Sequence, residues 1–72
     1  MPKSISGLEL IKFLTKKGFE VYSRKGSHVK LISLSRNTKT IVPLHNGLSV
    51  GTLNSILRQA KLTEEEISEL FG

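Results

Sequence analysis

The chain has 72 residues, room for one domain spanning 1–72, and at this size only about 60% of the unfolded surface is buried on folding. It has no Cys and no Asp, which excludes disulfides and thiolate chemistry and leaves little from which to build a carboxylate metal cluster. The net charge of +5 is unevenly spread: residues 1–62 hold all eleven Lys and Arg against Glu9 and Glu20, a balance of +9, while residues 63–72 hold four Glu and no base.

Met1-Pro2-Lys3 leads straight into a polar-capped helix pattern, so no signal peptide is expected. No apolar run approaches the ~20 residues that span a bilayer, so no membrane partner is expected and the default location is cytoplasmic. Ser6 and Glu9 fit a capping box. Leu8, Leu10, Ile11 and Leu14 then recur at helical spacing, and Gly18 suits the left-handed stop after Lys16 and Lys17. The spacing predicts a helix over about 6–17.

Phe19, Val21 and Tyr22 are strand formers, and Lys25-Gly26-Ser27 is a turn signal. Val29, Leu31, Ile32 and Leu34 read as a second strand, residues 35–38 as a second turn, and Thr40, Ile41 and Val42 as a third strand ended by Pro43. Turns this short join antiparallel neighbours. After a loop over 44–49, Val50, Leu53, Ile56, Leu57 and Ala60 make a second helical stripe. Thr63 and Glu66 then open a short acidic helix with Ile67, Leu70 and Phe71 on its apolar face. The class is α+β: helix, three antiparallel strands, helix and a short C-terminal helix. Two amphipathic helices cover one face of such a sheet, which leaves the other as a working surface.

A second turn centred on Arg36-Asn37 pairs His28 with His45, Lys30 with Pro43, Ile32 with Ile41 and Leu34 with Lys39. Opposed residues share a face. The more apolar set, Val29, Leu31, Ser33, Thr40, Val42 and Leu44, then lies under the helices. His28, Lys30, Lys39 and His45 share the open face.

A basic body of this kind favours polyanions such as RNA, DNA or an acidic protein surface, although basic charge also serves solubility alone. Imidazole titrates near neutral pH and can move a proton in a reaction. Two His among cations provide what attack of an RNA 2′-hydroxyl on its adjacent phosphate requires: a base, an acid and positive charge near the phosphate oxygens, with no metal or cofactor. The competing reading is that both are surface residues without a role. A zinc site through His28 and His45 lacks a third ligand other than Glu20. Gly51-Thr52-Leu53, at a helix start, fits a phosphate contact, or Gly51 is a tight-packing or capping choice, and packing is the preferred reading. A helix-turn-helix over 50–71 is rejected, because its reader helix would carry four Glu against DNA phosphates. Those Glu read instead as partners of the helix dipole and a solvated face.

Lys17-Gly18-Phe19, Lys25-Gly26-Ser27-His28, Val42-Pro43-Leu44-His45, Gly51-Thr52-Leu53 and residues 56–60 (Ile-Leu-Arg-Gln-Ala) together resemble the HicA (YcfA-like) toxins, over about residues 5–71. The resemblance implies a fold like the double-stranded-RNA-binding domain. It implies a metal-independent messenger-RNA endonuclease whose key His is His28 in the Gly-Ser-His motif. It also implies a HicB-like antitoxin that covers this His. In that frame His45 is a second acid–base candidate, and Arg24, Lys25, Gly26, Ser27, Lys30 and Lys39 are the RNA-binding candidates. The first strand departs from the family pattern: Tyr22 and Ser23 stand where relatives carry a basic residue, and Arg24 is one position away. The alternative is a non-catalytic RNA-binding module of the same fold. A third reading is an obligate subunit whose basic face only docks an acidic protein.

Overall fold

The structure, a computed structural model, describes residues 4–72; Met1-Pro2-Lys3, read above for a signal peptide, lie outside the described residues. The elements are α1 (Gly7–Lys16), β1 (Glu20–Lys25), β2 (His28–Ser33), β3 (Thr38–Pro43), α2 (Val50–Gln59) and α3 (Glu64–Phe71). The strands form one antiparallel sheet in the order β1-β2-β3. This is the α+β order expected from the sequence.

The first capping box is formed. The Glu9 amide donates to Ser6 Oγ and the Ser6 amide to Glu9 Oε1, both at 3.1 Å. Gly7, Leu10, Ile11 and Leu14, one helical stripe, are the buried residues of α1. Leu8 lies off that stripe and is exposed, contrary to its assignment above. In α2 the buried residues are Leu53, Ile56 and Leu57, and Val50 is exposed in the first turn. The helices pack on the face bearing Val29, Leu31 and Val42, and Phe19, Ile5 and Leu48 close the core. Ile5 carried no periodic signal. It is held by the Leu48 amide, which donates to the Ile5 carbonyl at 2.8 Å.

Gly7 lets α1 start against the end of β3. A Cβ there would collide with the Pro43 carbonyl, and the Gly7 amide donates to the His45 carbonyl at 2.9 Å.

The β2–β3 register differs from the expected one. His28 lies opposite Pro43, Lys30 opposite Ile41 and Ile32 opposite Lys39, and Leu34 is an exposed turn residue. The turn is centred on Ser35-Arg36. Asn37 takes the left-handed conformation at φ 53 and donates to the Leu34 carbonyl at 3.1 Å, while Ser33 Oγ accepts the Arg36 amide at 3.2 Å. An Asn that tolerates positive φ and a Ser that satisfies the turn amide bring the chain round early. The shift is two residues, so alternation is preserved and the expected inner and outer faces stand.

Candidate nucleic-acid interface

The β1–β2 hairpin carries the central residues. Lys25 pairs with His28 across a two-residue loop, and Gly26 sits at φ 60 in its first position. A Gly-first two-residue loop follows the right-handed twist of the strands, and a side chain there would be strained. The turn is held from two sides. Arg24 Nε donates to the Gly26 carbonyl at 3.1 Å, and the Leu44 amide donates to the Ser27 carbonyl at 2.7 Å.

Cross-strand partners share a face, so Lys25 and His28 project together from the sheet's outer side, with Ser23 and Lys30 one pair further in. Lys39, opposite Ile32, continues that face. His28, Lys25 and Lys39 are exposed and Lys30 is half-buried. Arg24 pairs with Val29 and belongs to the other face, where it braces the turn. His45 is exposed one residue past the last cross-strand hydrogen bond. It is at the His28 end of the sheet, but Pro43, not His45, faces His28. Among the described residues no three His or Glu side chains gather into a metal-sized cluster.

Tyr22 belongs to this face because of an irregularity the sequence did not announce. The β1–β2 register shifts between Val21 and Ser23. Strict alternation from Lys25 would turn Tyr22 toward the helices; the extra residue turns it outward. Its ring lies under Lys39 Nζ, 5.8 Å from the centroid. Tyr22, Lys30, Lys39 and Ile41 line an open groove of about 980 Å³ that reaches past the edge strand β3 to Ser49, Thr52 and Gln59 at α2. Gly51 borders this groove with no neighbour within 4 Å of the site of a Cβ, which overturns the tight-packing reading of that residue.

The acidic helix sits elsewhere. Glu66 takes Arg36 in a two-pronged ion pair, and Lys17 Nζ lies 3.0 Å from both Glu69 oxygens. The Arg36 guanidinium, with a backbone bond from Thr63, holds the Glu66 carboxyl down to about 2, and Glu66 in turn raises the Arg36 pKa. Glu64, Glu65 and Glu69 remain exposed, as a solvated face requires, while Glu66 and Glu69 also act as ion-paired tethers. The two tethers neutralise cations at the β2–β3 turn and the end of α1, and leave Lys25, Lys30 and Lys39 of the outer face untouched.

A family model described as the HicA toxin of bacterial toxin–antitoxin systems matches residues 7–62, which takes in every element but α3. No curated protein sequence matches the chain.

Proposed function

The chain belongs to the HicA toxin family of bacterial toxin–antitoxin systems, and we propose that it acts there as a metal-independent endoribonuclease on messenger RNA, with His28 as its proton-transfer residue. The observation that carries this reading is the placement of His28 beside Lys25 and Lys30 on an exposed, cationic sheet face, at the mouth of a braced hairpin turn.

Cleavage begins when an imidazole nitrogen of His28 accepts the proton of a ribose 2′-hydroxyl. The 2′-oxygen then bonds to the adjacent phosphorus as the bond from phosphorus to the 5′-oxygen breaks. His45 or water returns a proton to that leaving oxygen. Lys25 and Lys30 stabilise the charge that builds on the phosphate oxygens. The products are a 2′,3′-cyclic phosphate and a 5′-hydroxyl. Gly26 and Ser27 shape the turn, and Arg24 acts as a positioning residue through the Gly26 carbonyl. A HicB-like antitoxin silences the toxin by covering the His28 face, and an acidic partner surface suits its cations.

The test is cleavage of messenger RNA in EDTA by the wild type and by His28→Ala, with end-group analysis. Cleavage by the wild type alone, leaving cyclic phosphate ends, is the expected result. Fragments with 5′-phosphates would exclude attack by the 2′-hydroxyl. RNA binding without cleavage by either protein would make this a binding module.

A further inference from the structure

We infer that Tyr22 is a base-stacking platform, and that the groove it shares with Lys30 and Lys39 holds the nucleotide next to the one at His28. The inference deepens the ribonuclease reading by assigning a second RNA subsite to the same face.

Three observations lead there. The β1 bulge is what turns the Tyr22 ring outward, and the ring is half-exposed although it is large and flat. A sheet face with exposed aromatic rings is a recurrent way to hold unpaired bases, because every base offers a π-face. Second, cations flank the ring: Lys39 Nζ is 5.8 Å from its centroid, and Lys30 lines the same groove. Lys39 Nζ lies over the ring, so an arriving base displaces it to the ring's margin, where it and Lys30 meet the phosphates of the bound strand. A protein partner would also be drawn by this charge, but it would not need a groove open toward α2 that is lined by Ser49, Thr52 and Gln59. Third, the spacing fits one chain. Tyr22 and Ser23 together face Lys30, and Lys30 is two residues from His28 along β2. Two residues of strand span about 7 Å, within reach of the neighbouring nucleotide.

The molecule supplies its own reporter. It contains one Tyr and no Trp, so its intrinsic fluorescence comes from Tyr22. The probe is a fluorescein-labelled, mixed-sequence 12-nucleotide RNA carrying 2′-O-methyl groups throughout, which cannot react through its 2′-position. With an unlabelled copy of that RNA, Tyr22 emission should be quenched in both the wild type and His28→Ala. Inorganic polyphosphate should bind without quenching. Anisotropy of the labelled RNA should show Tyr22→Phe binding within about twofold of wild type, while Tyr22→Leu and Tyr22→Ala lose about 5- to 150-fold, the range for one stacked base.

Unquenched Tyr22 in an RNA-bound protein, equal quenching by polyphosphate, Tyr22→Leu binding like wild type, or no RNA binding at all would each overturn the inference. The outcomes are separable from those of the cleavage test. Tyr22-dependent binding without cleavage in EDTA would remove the nuclease and leave the platform. Cleavage by His28 with binding indifferent to Tyr22 would do the reverse.

Discussion

Arg36, in the turn between β2 and β3, and Glu66, in the first turn of α3, meet side by side, with Arg36 NH1 2.9 Å from Glu66 Oε1 and NH2 on Oε2. The same guanidinium donates to the Lys61 carbonyl at 3.2 Å and to the Lys17 carbonyl at 3.4 Å, so one side chain ties the ends of α1 and α2 to α3. Glu66 also closes the capping box of α3 by accepting the Thr63 amide at 3.0 Å. With no buried residue of its own, α3 depends on these polar tethers and on partial packing of Ile67 and Leu70.

Loss of this clasp should be measurable. Exposed ion pairs contribute about 0–1 kcal/mol and broken buried pairs cost 3–5. This pair is mostly shielded and two-pronged, so Arg36→Ala should cost about 1–2 kcal/mol at pH 7, between those limits. Thermal unfolding followed by circular dichroism should show a fall of about 4–8 °C per kcal/mol for a domain of this size.

The clasp also sets a pH dependence. The Glu66 carboxyl is lowered in the folded state to about 2, so its contribution is complete above the ordinary Glu range and is lost as pH falls toward 2. Urea unfolding from pH 6 down to pH 2 should show wild-type stability dropping in the acid window. Glu66→Gln should start lower and drop less. A parallel fall in both proteins would remove the assignment to Glu66.

Gly7→Ala should destabilise by about 1–3 kcal/mol, the cost of forcing atoms into a closed site, despite the better helix propensity of Ala. The displaced group would be the Pro43 carbonyl, directly opposite His28. Cleavage should therefore fall along with stability in urea titrations and RNA assays.

Gly26→Ala has a different signature. Nothing lies within 4 Å of the site of its Cβ, so its cost is conformational alone, about 1–2 kcal/mol for a side chain at positive φ. Any relaxation of the turn moves Lys25 and His28, and kcat should drop more than RNA affinity.

The two faces of the hairpin should separate in salt titrations. Lys30→Ala should reduce the slope of log affinity against log salt by about one, as expected for one lost phosphate contact. Arg24→Ala, on the other face, should leave the slope unchanged and act on kcat by loosening the turn. Equal slope changes would place Arg24 on the phosphate path.

Local chemistry determined much of this protein from the sequence alone. Capping boxes at Ser6 and Thr63, helical spacing at Leu10, Ile11 and Leu14, and the Gly26 and Pro43 punctuation act over a few residues, and each element formed where they indicated. The face shared by His28, Lys30 and Lys39 was equally legible, since alternation survives a two-residue register error, whereas Lys25 joins it through the β1–β2 pairing. The tertiary structure alone decided the rest. The partner of His28 depended on how early the β2–β3 turn closed, which Asn37 and Ser33 control. The outward turn of Tyr22 depended on a bulge whose position no spacing marks. Pairing α3 with Arg36 and Lys17 joined residues 30 and 52 positions apart. Periodicity reports what a residue does to its neighbours in the chain; register, bulges and long-range ion pairs are set by competition among contacts that exist only once the chain has folded.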